Sequence, residues 1–152
     1  MFGFKNQFTI PSDPGIYIHR SGGPLNSNPG VGVEYGIYIT KNWLNGFNTC
    51  VPLGVNPGKV KFILPKFINY VSSLTGPSPT LVTGVNADTL VWNITNFSNY
   101  NNIIWSNYFA TFSLAISPTV TSGTPFTLQG IIQPLTDINT TNNISTQVRY
   151  CG

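Results

Sequence analysis

The sequence predicts an all-β fold, a two-layer antiparallel β-sandwich with Greek-key connections, on three observations. Apolar residues recur with period two in one segment after another. Gly, Pro, Asn, Ser and Thr crowd the breaks between those segments, as turns require. No stretch makes a convincing amphipathic helix.

Taken in order, Gln7 to Ile10 and Gly15 to Arg20 read as short extended pieces, and the prolines of Pro11-Ser12-Asp13-Pro14 between them assign both to sheet edges. The stretch 1–29 is expected to be an N-terminal extended segment, and 30–152 the sandwich domain. Val31 to Ile39 alternates, with Val33, Tyr35, Ile37 and Ile39 on one face, which makes it a core strand. Asn42 to Asn56 mixes Trp43, Phe47 and Cys50 with Asn and Gly and reads as a long loop with room for a short strand. Gly58 to Leu64 is a clear strand ended by Pro65, and Phe67 to Val71 continues the apolar layer. Gly76-Pro77-Ser78-Pro79 is a turn. Ala87 to Ile94 follows with Leu90, Trp92 and Ile94 in register.

From Asn107 to Ile116, one parity holds Tyr108, Phe112, Leu114 and Ile116, and the other Phe109. Phe126, Leu128 and Ile132 alternate up to a polar, Asn-rich turn at Pro134 to Asn143. Ile144, Thr146, Val148 and Tyr150 form the last repeat. About eight or nine strands at intervals near ten residues suit a sandwich. Its expected core anchors are Tyr35, Ile37, Phe62, Trp92, Phe112, Leu114 and Val148.

At 152 residues the chain is one ordinary domain, able to bury about two-thirds of its unfolded surface. Charged residues make up only 7%, so amides and hydroxyls must keep the surface wet. Seven basic residues against four acidic give a formal +3, too weak a field to steer a polyanion. Lys59, Lys61 and Lys66 are the one basic cluster, read as a solvated strand face rather than a nucleic-acid patch, so no nucleic-acid partner is expected. Every apolar run breaks well short of the roughly eighteen residues of a membrane span. Met1 to Lys5 lacks the features of a signal peptide, so the chain is either cytosolic or a fragment, and the expectation taken forward is a fragment of an exported protein.

Reactive groups are scarce. His19 is the sole histidine and Glu34 the sole glutamate, while Asp13, Asp88 and Asp137 fall in or beside turns, where an Asp bonds its own backbone. No pair of carboxylates has a spacing that forces the roughly 5 to 10 Å separation of a glycosidase, and no nucleophile elbow appears. The reading is a non-enzyme without cofactor or metal. Cys50 and Cys151 lack metal-ligand spacing and are candidates for a disulfide, which would close a loop of about 100 residues and stabilise by up to about 4.7 kcal/mol in the chain-entropy model. Two free thiols are the alternative.

Aromatic residues are 13% of the chain. Trp43, Phe47, Tyr100 and Trp105 lie beside Asn-rich loops, a placement that suits stacking on a glycan or contact with a partner; the alternative is that the tryptophans plug the sandwich ends. The low charge and Pro-bearing N-terminal segment also suit a self-assembling filament or capsid subunit built by strand addition.

Several of these segments, in their order, resemble the conserved repeat domain found in tandem on bacterial surface proteins. The resemblance covers about Gly30 to Tyr150. It rests on the strand Val33 to Thr40, a strand ending in Leu64-Pro65, the apolar Phe67 to Ser72, the Leu90-Val91-Trp92-Asn93 strand, the long strand Tyr108 to Ile116, and the closing Asp137 to Asn143 turn. That family is similar to immunoglobulin-like folds and is commonest in adhesins and other surface proteins, including those of Bacteroidetes. The resemblance implies an extracellular, non-catalytic spacer or adhesin module that contacts neighbouring domains or copies of itself. Asp88-Thr89-Leu90 also looks like the short O-glycosylation signal of Bacteroidetes, which implies Thr89 as its acceptor. The chain departs from the family before Gly30 and in Asn42 to Asn56, where a private function would sit.

Overall fold

Strand alternation, once the chain is folded, sends the apolar parity of the central strands to the inner sides of two sheets. The computed structural model describes residues 14–23, 32–41, 55–100, 107–135, 137 and 140–152. The described strands are β1 (Pro14–Gly22), β2 (Gly32–Lys41), β3 (Gly58–Pro65), β4 (Ile68–Thr75), β5 (Thr80–Thr83), β6 (Ala87–Ile94), β7 (Ala110–Ile116), β8 (Pro125–Pro134) and β9 (Ile144–Tyr150). A four-stranded sheet runs β1-β2-β7-β4 and a five-stranded sheet β5-β6-β3-β8-β9, with every pairing antiparallel. The pairs β1–β2, β5–β6 and β8–β9 are consecutive neighbours. Every other connection crosses to the opposite sheet, so the fold is the expected antiparallel sandwich.

The core is the inward parity of both sheets. β2 contributes Val33, Tyr35, Ile37 and Ile39; β3 gives Val60, Phe62 and Leu64; β6 gives Leu90, Trp92 and Ile94. Phe62 sits at the centre, its ring 4.9 Å from Phe112 edge to face and 6.1 Å from Tyr35. Edge-to-face pairs of this kind add about 0.5–1.5 kcal/mol each beyond burial. β1 lies over β8, and Gly130 permits the approach, because a Cβ there would collide with Ile18 and crowd Ile16.

Three expectations need correction. Val148 is 54% exposed rather than a core anchor. β9 has the expected period, but its apolar parity of Ile144, Val148 and Tyr150 faces out, while Ser145 and Gln147 face in toward β1, where backbone groups need partners. Tyr108 does not share the face of Phe112. The strand begins only at Ala110, so the chain before it is free to turn, placing Phe109 against Trp92 in the core and Tyr108 on the outer side over Gly36. β5 was not anticipated at all: four residues, all exposed, between two turns give too short a pattern to read.

Candidate functional site

The outer face of the five-stranded sheet is built by the parity that the core leaves over. Along β3, Val60, Phe62 and Leu64 point in, so Lys59, Lys61 and Ile63 point out. Register carries that parity across the sheet. One row is Thr80, Val91, Lys61, Ile131 and Ile144; the next is Val82, Thr89, Ile63, Gln129 and Thr146; a third holds Asn93, Lys59 and Gln133. The middle of these rows lines an open groove of about 430 Å³ reaching from Val82 of β5 to Ile131 of β8. Its walls are β-branched, and the charges among its described residues are two ammonium groups.

The two margins of the sandwich differ. Where β1 and β9 meet, the Ile18 N–H donates to Ser145 Oγ at 3.1 Å and Gln147 Nε2 donates to the Ile18 carbonyl at 2.8 Å. Side chains of one sheet thus satisfy the backbone edge of the other. At the opposite margin β4 carries register shifts between Tyr70 and Ser72 and between Ser73 and Thr75, which leave Val71 and Leu74 outside the ladder and exposed. Such bulges twist an edge away from further pairing. β5 has no register shift, its Leu81 and Val82 are exposed, and the hairpin that follows ends in Val85, 91% exposed.

The outer face of the four-stranded sheet gathers rings. Tyr38 and Tyr108 stack at 4.3 Å, Tyr17 and His19 at 6.3 Å, and His19 Nδ1 lies 3.4 Å from the Tyr108 hydroxyl. Burial, with the neighbouring Tyr38 phenol, pushes the Tyr108 hydroxyl up to about 12. His19 is held below its ordinary value by partial burial first, then by the positive charges of Arg149 and Arg20. The charged groups acting on the histidine are therefore cations, which favour its neutral form.

Among the residues singled out from sequence, Thr89 stands half-buried on the outer face between Val82 and Ile63. Asp88 beside it is occupied: its carboxylate accepts from Lys66 Nζ at 2.7 Å and from the Gly84 N–H at 3.2 Å, closing the β5–β6 turn. Tyr100 is half-buried with its ring edge-on to Phe109 at 5.2 Å, packed on the core. Cys151 is buried and carries a free thiol, which burial pushes up in pKa. Cys50, Trp43, Phe47 and Trp105 lie outside the described residues, and with them the disulfide and most of the glycan contacts. Among the described residues no three His, Cys, Asp or Glu side chains group as metal ligands, and no helix is long and apolar enough to cross a membrane. The groove itself was missed in the sequence, although the Lys-x-Lys-x-Ile alternation of β3 signals its floor.

No protein-family model matches the chain, and no curated protein matches it. Among solved structures it is similar to BslA, described as a bacterial hydrophobin, at 10% identity over 93% of this chain and 95% of that one, with a TM-score of 0.45. It is also similar to the sixth cohesin of Acetivibrio cellulolyticus scaffoldin B, solved in complex with a Cel5 dockerin, at 12% identity over 88% and 98% of the two chains, with a TM-score of 0.41.

Proposed function

We propose that this chain is a non-catalytic structural module of an exported bacterial surface protein, of the adhesin or stalk-spacer kind, meeting its neighbours through one sheet edge and one outer face. The observation that carries the reading is the unequal treatment of the two margins. The backbone edge where β1 meets β9 is bridged by Ser145 and Gln147, whereas β5 keeps an unshifted ladder with Leu81, Val82 and Val85 exposed on and beyond it. Exposed apolar groups in a cluster mark interaction surfaces more often than isolated ones do. The resemblance of the motif order to surface repeat domains supports the exported setting, and the commitment of Asp88 to a turn supports a structural role for its carboxylate.

The test is labelling of intact cells. An antibody raised against the β5–β6 hairpin should bind cells of the source organism before lysis; binding only after lysis overturns the surface assignment. A second reading, self-assembly by strand addition, is favoured by the same β5 edge. Light scattering behind size-exclusion chromatography should then show concentration-dependent oligomers that Leu81→Pro abolishes, and monomers at every concentration reject it.

A further inference from the structure

We infer that the groove on the five-stranded sheet binds an extended acidic segment of a different protein or domain, one with two carboxylates two residues apart and a β-branched residue two further along. The inference deepens the reading of the chain as an interaction module and rests on it. Lys59, Lys61 and Ile63 follow one another on the same side of β3, so two ammonium groups and an apolar group stand about 7 Å apart in a line. An extended segment lying along β3 presents alternate side chains at that same spacing, which matches a carboxylate to each lysine and an apolar side chain to Ile63. Val91 on β6 and Ile131 on β8 flank the Lys61 position from either side and supply apolar walls.

Charge decides the occupant. No carboxylate stands among the described residues lining the groove to answer Lys59 or Lys61, and the Lys66–Asp88 pair lies outside it. A second copy of this chain cannot answer them either. Its four acidic residues are Asp13, Glu34, Asp88 and Asp137, no two of them near each other in sequence, and two such faces would set lysine against lysine. An anionic polysaccharide would meet the lysines but finds no aromatic ring in the groove, whose apolar walls are branched aliphatics suited to side chains.

The experiment titrates the isotope-labelled protein with a capped Glu-Thr-Glu-Thr-Val peptide, in both chain orders, and follows backbone amide shifts. The expected result is saturable shifts at Lys59 to Ile63, Val91 and Ile131, weakened about fivefold in the double variant Lys59→Gln/Lys61→Gln, the size expected of two exposed ion pairs, and weakened again by added salt. An unchanged amide spectrum away from β3 keeps the variant interpretable. A Lys-Thr-Lys-Thr-Val peptide should not bind, and Glu-Glu-Thr-Thr-Val, whose carboxylates point to opposite sides, should bind less. Equal binding of either control, shifts confined to another face, no shifts at all, or an oligogalacturonate competing at equal carboxylate concentration would each overturn the assignment. Cell-surface labelling without peptide binding removes the groove and leaves the module; peptide binding by a protein that never reaches the surface removes only the surface setting.

Discussion

Trp92 joins three parts of the molecule through one side chain. Its ring is buried against Phe109 at 6.0 Å and Phe112 at 5.7 Å, and its Nε1–H donates to the Pro77 carbonyl at 2.7 Å, fixing the turn before β5. Trp92→Ala should cost about 3–5 kcal/mol in urea unfolding. Trp92→Phe keeps most of the packing and loses the hydrogen bond, so a loss of about 1 kcal/mol is expected; equal losses for the two variants would contradict a packing-dominated role. Titration belongs to this scale too. His19 has a folded pKa below the ordinary 6.5, so on acidification the unfolded chain takes up that proton first. Stability from this group is complete above about pH 6.5 and declines as the pH falls through the lower folded value. Asp88, held below 3.8 first by the hydrogen bond from Lys66, repeats the pattern at lower pH. Calorimetry from pH 8 downward should therefore show the melting temperature falling with acidification, and falling less steeply in His19→Gln and in Asp88→Asn.

At the level of elements, the seam between β1 and β9 matters most, because it replaces ladder hydrogen bonds with side-chain ones. Strands at the edges of two different sheets cannot pair with each other when their backbones diverge, and Ser145 and Gln147 bridge the gap to Ile18. Each bond should contribute about 0.5–1.5 kcal/mol. The double variant Ser145→Ala/Gln147→Ala should lose about the sum in urea unfolding, and hydrogen exchange of the Ile18 amide should accelerate ahead of Tyr35 or Phe62. Unchanged protection at Ile18 would mean that packing of Ile16 and Ile18 on Gly130, not the polar bridges, holds β1 down. The contrast with β4 is instructive: there two bulges, not side-chain bonds, limit the edge.

For the whole molecule, the topology joins residues distant in the chain. β2 pairs β7, β3 pairs β8, and β1 touches β9 near the other end. Such pairings require long loops to close before burial rewards them, so refolding from urea should take milliseconds to seconds. A submillisecond main phase would contradict a transition state that includes the β3–β8 and β2–β7 pairings. The same arrangement concentrates the fully buried apolar side chains between the sheets and leaves the low surface charge spread over the outer faces, where Lys59 and Lys61 gain weight for want of competition.

How much was legible follows from which forces act locally. Alternation in β2, β3 and β6 is written by residues two apart, and Tyr35, Ile37, Phe62, Trp92, Phe112 and Leu114 all lie in the core where that pattern points. Period alone does not say which parity faces the partner sheet at an edge strand, and β9 turned the other way because its inward side had to satisfy Ile18 rather than bury Val148. The groove was hidden for a related reason: Val91, Lys61 and Ile131 lie far apart in sequence and become one row only through register. The chain by itself determined that it would form strands and which face of its central ones is apolar, since side-chain period is a local property. Only the tertiary structure decided which edges are sealed, which stay open and which outward residues meet, since those depend on pairing partners that no local pattern names.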